Sequence, residues 1–511
     1  MRRAQRMVSI LGVGLALSGC FTSSDTTTGT DAGDLGPQPD GAVPLDAGAE
    51  TDDATTVMAE AGGSATGDGG ADAGAVADAE AGVVCTPSGT PVMHTADIVA
   101  DETWASGIHV VPSTIQIKSG ARLTVSPCSE LQLGPGASIE VTGAAAGLDA
   151  VGTASGPIRL VAQQAGTPWG AVDVTAPSVA NLAYVTISGG GTGPHASAPR
   201  GGASLTGYSA GTARPVVLKL QHVVISGSAG LGLFLQQARF DPASVDLTVT
   251  GAGWYPVYLG AASAGDLPIG GMYTGNAIDQ ILLQTFNVAA YDDSAALTSD
   301  VTLRNLGVPY RVGTTPSSIV VGDGVGGDPS ASLTIAAGVH MLFTPQGTGG
   351  TSRILVNGQD NAGTYSAQGA LVIQGTSASP VFLDSAADPS AQAAADWEGL
   401  YFATLVDPRT SIAYAHILHA GGASSAVGIC GSTPAANNGA ATCAIDVLVQ
   451  SAPAAFLSNS DIEQAPCGVY RGWPTTDVDF LSTNQFVGIP GCTETSIPDA
   501  GGQCAACSTS P

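Results

Sequence analysis

Val223-Val224-Ile225-Ser226-Gly227 runs on to Leu233-Phe234-Leu235, and the pattern then returns as Leu247-Thr248-Val249-Thr250-Gly251, running on to Val257-Tyr258-Leu259. Each copy is a β-prone run stopped by glycine and followed by a second apolar run. Short strands repeated at a step in the twenties point to a solenoid in which every coil adds one rung. Parallel coils stack at about 4.8 Å, so inward Val, Ile and Leu form ladders, while tight corners select glycine. Asp461-Ile462 with Gly468-Val469-Tyr470 echoes the unit downstream. The expected fold is all-β, a parallel β-helix. A β-sandwich is the rival, because short strands with frequent turns fit it too. The 24-residue step from Val223 to Leu247 and the sparse aromatics favour the helix. About 415 residues would make roughly 15 coils at this period.

A longer duplication overlies the short one. Gly152-Thr153-Ala154-Ser155-Gly156-Pro157-Ile158-Arg159-Leu160 matches Gly375-Thr376-Ser377-Ala378-Ser379-Pro380-Val381-Phe382-Leu383. Trp169-Gly170 is answered by Trp397-Glu398-Gly399, and Asn181-Leu182-Ala183-Tyr184 by Ser411-Ile412-Ala413-Tyr414. Leu123-Thr124-Val125 and Leu333-Thr334-Ile335-Ala336-Ala337-Gly338 stand upstream of the two copies, so the order of the motifs is the same in both.

Composition narrows the function classes. The 511 residues carry 42 acidic against 15 basic side chains, a net charge of −27, and 70 glycines. So few cations cannot neutralise a phosphate backbone, which excludes nucleic acid as a partner. Glycine without a three-residue period excludes collagen. The charge is uneven: residues 21–84 hold 13 Asp or Glu and no Lys or Arg, leaving the part from Cys85 onward at −17. Such a segment buries too little apolar surface to fold, so residues 20–84 are read as a disordered tether.

The N-terminus reads as an address. Arg2, Arg3 and Arg6 precede the apolar run Met7 to Ala16, followed by Leu17-Ser18-Gly19-Cys20. A basic stretch, a short apolar core and a small-residue site make a secretory signal, here residues 1–19. Leu-Ser-Gly-Cys resembles the bacterial lipobox, which implies that Cys20 is acylated and becomes the membrane anchor. Phe21 is not the aspartate that marks inner-membrane retention, so the resemblance implies the outer membrane or cell surface. The remainder divides into 85–330, 331–500 and a Cys-containing tail, 501–511.

The segment Leu333-Thr334-Ile335…Gly338-Val339, then Gly369-Ala370-Leu371, Gly375-Thr376 with Pro380, and Trp397-Glu398-Gly399-Leu400, resembles right-handed parallel β-helix repeat lipoproteins of Gram-negative bacteria. Gly271 to Asn276 and Leu306-Gly307-Val308-Pro309-Tyr310 are similar to those proteins as well. The resemblance covers most of residues 110–480 and implies the handedness of the fold; it implies no activity. The first copy departs from the pattern at Pro127-Cys128, where the second has Ala337-Gly338.

Catalytic chemistry is sparse. A polysaccharide lyase needs acidic calcium ligands beside an Arg or Lys base, and Lys118 and Lys219 stand apart from acidic runs. Asp292-Asp293 cannot flank one glycosidic bond from a strand, because adjacent residues face opposite ways. His416 and His419, three apart, also face opposite ways and so share no metal without a bend. Gly322-Asp323-Gly324-Val325-Gly326-Gly327-Asp328 occurs once, whereas glycine–aspartate calcium sites depend on stacked copies. No catalytic, metal or cofactor residue is assigned, and no cofactor is called for.

Cys85, Cys128, Cys430, Cys443, Cys467, Cys492, Cys504 and Cys507 make an even set on an exported chain, which implies disulfides. The expected bridges are Cys85–Cys128 and Cys430–Cys443, with the last four paired among themselves. Finally, Trp254, Tyr255, Tyr258, Tyr273 and Tyr291 concentrate in a stretch where Gly260–Leu297 breaks the coil rhythm. They are candidates for stacking on sugar rings, with a small satellite core as the alternative. The function expected is a non-enzymatic envelope lipoprotein, a β-helical scaffold for adhesion or contact with a polysaccharide or surface glycan. A carbohydrate-active enzyme and a ligand-free spacer are the alternatives.

Overall fold

The computed structural model describes residues 85–193, 202–209, 215–284, 297–322, 330–346, 352–356, 369–423, 443–449, 451–473 and 476–495. The chain divides into Met1–Ala77 and Asp78–Pro511. The first unit, with the signal segment, Cys20 and most of the tether, lies outside the described residues. So do Tyr291, Asp292-Asp293, Asp323 to Asp328, Cys430, Cys504 and Cys507.

The described part is an all-β parallel solenoid. One sheet of 13 strands runs its length, from Ile115–Ile117 to Gln485–Val487, pairing strand to strand in parallel. An 11-stranded sheet supplies the other sides of the early coils, and two five-stranded sheets supply those of the later coils. The 11-stranded sheet turns a corner inside its long strands: Val179–Ser188 pairs with Gly147–Val151 by its first half and with Ile158–Ala162 by its second. Tyr184 at that corner takes a left-handed φ of 49°, and His222, one rung on, takes 55°.

Alternation builds the core. In Ala331–Ala336, Ala331, Leu333 and Ile335 are buried while Ser332, Thr334 and Ala336 are only partly covered. Register then stacks like on like: Leu333 lies between Val301 and Leu371, and Ile335 between Leu303 and Ile373. No coil has an inner partner of its own, so each depends on its neighbours.

The step between rungs is elastic. Leu233 pairs with Val257 and Val257 with Ile281, the same 24-residue step that the sequence repeats. Val172 pairs with Ile139 and Leu205, a step of 33, and His416 pairs with Asp461, a step of 45. The difference falls in the segments between paired strands. The continuous sheet therefore has 13 strands, fewer than a uniform step gives. Of the expected break over Gly260–Leu297, the described part up to Gln284 keeps the 24-residue step, with the short helix Ala261–Ala264 between its strands. Ile281 then pairs with Tyr310 at a longer step, and residues 285–296 lie outside the described residues.

The two long copies coincide in atomic detail. Thr153 and Gly156 exchange backbone hydrogen bonds of 3.1 Å, as do Thr376 and Ser379, and each threonine hydroxyl accepts the same backbone N–H. A Cβ on Gly152 or Gly375 would strike the carbonyl oxygen of Tyr184 or Tyr414 respectively, so both positions require glycine. Trp169 and Trp397 are fully buried and donate their indole N–H to Ser188 O at 2.7 Å and Leu418 O at 2.8 Å. Cys128 stands where the second copy has Gly338, yet both take left-handed φ, 63° and 74°. A side chain there costs roughly 1–2 kcal/mol, and the bridge to Cys85 fixes the position. The copies differ in placement. Ile158–Ala162 belongs to the 11-stranded sheet, and its counterpart Val381–Ser385 to the 13-stranded sheet.

Cys85 and Cys128 are bridged, with Cα atoms 5.9 Å apart. The expected Cys430–Cys443 bridge is corrected: Cys443 is bonded to Cys467, Cα atoms 4.2 Å apart, so the last four do not pair among themselves. Cys443 and Cys467 each stand two residues before Ile445 and Val469, which are register partners on adjacent rungs. Stacking, not nearness in sequence, selects the pair. Cys492 extends the same corner, receiving the N–H of Gly468, and is itself disulfide-bonded.

Candidate functional site

Among the described residues, the aromatic candidates are built into packing clusters. Trp254 and Tyr255 are buried with Ala203, Leu231, Phe234 and Leu282 in a satellite cluster, against which half-buried Tyr258 packs. Phe234 lies between the core residues Leu233 and Leu235, so this cluster covers the outer side of the continuous sheet. Tyr273 is in the main core, its hydroxyl donating to Pro268 O at 2.9 Å. Burial holds that phenol in its neutral form by raising its pKa. These described rings are taken up by packing, as the satellite-core alternative expects for Trp254, Tyr255 and Tyr258.

Polar chemistry gathers elsewhere. Leu148 and Ala150, Ala180 and Leu182, and Leu218 and Leu220 point inward, so Asp149, Asn181 and Lys219 point outward. Register aligns them: Asp149 pairs with Asn181, and Asn181 with Lys219. Asp241 follows Phe240, the partner of Leu218, and so stands next in the column. Together with Arg122, which is ion-paired to Asp149, these side chains line a cleft of about 300 Å³, floored by Val179, Ala180 and Val217. Lys219, which stands apart from acidic runs in the sequence, thus shares a cleft with two carboxylates in the fold.

A second polar group sits on the continuous sheet. His416 is directed outward between Ala415 and Ile417, and Asp461 and Glu463 are directed outward on either side of Ile462. His416 Nδ1 is 3.0 Å from Glu463 Oε1 and 3.4 Å from Asp461 Oδ2. Phe382, one rung before, stacks on the imidazole with centroids 4.7 Å apart and planes at 10°. His419 takes a left-handed φ at the following corner and pairs with Asp384 at 2.7 Å. The two histidines therefore serve different carboxylates.

A third group is closed to solvent. Arg353 Nη1 donates to Glu398 Oε1 at 2.8 Å, and the guanidinium carbon Cζ lies 4.8 Å from the centre of the Tyr401 ring. Asp446, the register partner of Tyr401, is 1% exposed. Burial, followed by the charge of Glu398, pushes its carboxyl well above the usual range. Two carboxylates beside a single cation resemble an acid–base pair, but neither is reachable by a polymer, Glu398 and Asp446 both being 1% exposed. It is a buried ion pair that consumes burial energy and gives the coil a specific partner.

The cleft and the His416 group escape a linear reading for one reason. Their members are separated by whole coils of unequal length, so Asp149, Asn181 and Lys219 follow one another at different intervals although they stand in one column. Comparison of the chain with protein-family models, with curated proteins and with solved structures returns no match.

Proposed function

We propose that this chain is a non-enzymatic envelope lipoprotein whose solenoid, a right-handed parallel β-helix, presents the Arg122–Asp149–Asn181–Lys219–Asp241 cleft to a polysaccharide or surface glycan. The cleft is the observation that carries the reading: amide, carboxylate and cationic groups recur at rung spacing on a rigid outward face. Sugar hydroxyls need such mixed donors and acceptors, and two cations suit an acidic sugar. In this reading Cys20 carries the acyl chains, residues 20–84 hold the solenoid away from the outer membrane, and no nucleic acid is bound.

The enzymatic alternative keeps one specific support, Lys219 beside Asp149 and Asp241, the arrangement in which a lysine base works next to carboxylates. A glycan array followed by calorimetry on the best binder separates the readings. Binding without turnover, weakened tenfold or more by Asn181→Ala and Lys219→Ala, supports the scaffold. Release of unsaturated uronate products, lost in Lys219→Ala, supports the lyase instead. Absence of both leaves the ligand-free spacer. Metabolic labelling with a fatty acid, lost in Cys20→Ala, tests the anchor separately.

A further inference from the structure

We propose that His416, Asp461 and Glu463 form a binding site for a divalent transition-metal ion, with Zn²⁺ as the fitting species. Three ligand atoms, one nitrogen and two oxygens, lie within 4.8 Å of one another on two adjacent rungs. Tetrahedral zinc with bonds of about 2.0–2.1 Å separates its ligand atoms by roughly 3.3–3.5 Å. The imidazole nitrogen is already 3.0 and 3.4 Å from the two carboxylate oxygens, so the ion needs only small side-chain rotations. Calcium and magnesium favour all-oxygen sets, whereas an imidazole in the set selects zinc and its neighbours.

Two further observations distinguish this group from a surface ion pair. The ligands are on paired strands, His416 opposite Asp461 and Leu418 opposite Glu463, so the backbone fixes their spacing. Phe382 stacks on one face of the imidazole and holds its plane, orienting Nδ1 toward both acids. The three side chains keep 27 to 30% of their surface, which leaves a fourth position open toward solvent. A metal with an open position takes water or a ligand oxygen. The site lies on the 13-stranded sheet, apart from the cleft of the 11-stranded sheet, and stands or falls independently of the glycan reading.

The experiment is equilibrium dialysis of the whole chain against Zn²⁺, with Co²⁺ absorption as a geometric readout. The expected result is one saturable site, at least tenfold weaker in His416→Ala and in the near-isosteric Asp461→Asn/Glu463→Gln pair, and unchanged in Asp384→Asn. A four-coordinate Co²⁺ spectrum lost in the same variants completes the case. Three results overturn the proposal: no saturable binding, binding unaltered in both variants, or Ca²⁺ and Mg²⁺ bound as tightly as Zn²⁺. The first would leave the group a hydrogen-bonded contact between adjacent rungs.

Discussion

Replacing Glu494 by Gln will remove most of the pH dependence of the last described rung. Glu494 bridges to Val469, its side chain is 5% exposed, and its carboxylate sits 3.3 Å from Arg471 Nη1. Burial lifts its pKa from 4.5 to about 7, against the pull of Arg471 and of the Phe480 N–H, with Asp477 and Asp479 adding to the rise. A folded pKa above the unfolded one means that the folded rung holds the proton more tightly. Its stabilising share is complete below about pH 4.5 and is lost as pH rises to about 7. At 1.36 kcal/mol for each unit, the loss is about 3 kcal/mol. Solenoids open from their ends, so a global melt blurs the effect. Hydrogen exchange of the segment 481–495, compared with Glu494→Gln at each pH, isolates it. Between pH 4.5 and 7.5 the opening constant of the parent rises over a hundredfold relative to the variant, about 3 kcal/mol. Parallel profiles in the two proteins would refute the reasoning, because Glu494 would then ionise in the folded rung at no cost.

Four further outcomes test the architecture. Trp169→Ala and Trp397→Ala each cost about 3–5 kcal/mol by urea unfolding, since both indoles are buried and hydrogen-bonded alike; a large difference would break the equivalence of the copies. Asp446→Asn changes stability less at neutral pH than Glu398→Gln does, because burial already favours the neutral form of the Asp446 carboxyl. Glu398→Gln, which leaves the mostly buried Arg353 without its ion pair, costs about 3–5 kcal/mol by the same measurement. Non-reducing peptide mapping recovers Cys443 linked to Cys467, and Cys443→Ser lowers stability by about 2–4 kcal/mol; a Cys430–Cys443 peptide would contradict the stacking rule.

The sequence made the rung legible wherever coil length was constant. Val223 to Leu259 showed the 24-residue step because no loop intervenes there, and the Trp169 and Trp397 motifs showed the duplication because their turns demand glycine and threonine. The same step was present, unread, in the cysteines: the sequence separation of Cys443 and Cys467 is 24, the spacing of one coil. The aromatic run misled because abundance carries no direction. Trp254 and Tyr255 cover an outer sheet face, and only the coil path reveals that this face is covered. Asp149 with Lys219, and His416 with Asp461, required the register across long, unequal loops, which periodicity cannot supply.

The bridge between Cys85 and Cys128 has a mechanical consequence. A pull applied from the N-terminal side enters the solenoid at Cys85 and passes through the sulfur atoms to Cys128, beyond the strand Arg122–Val125. The 43-residue span that the bridge closes is thereby removed from the load path. Peeling, the cheapest way to take a stack of coils apart, cannot start at the first coil. Tension must act instead on strands that already have a neighbour on both sides, and several ladder hydrogen bonds must then yield together instead of one by one.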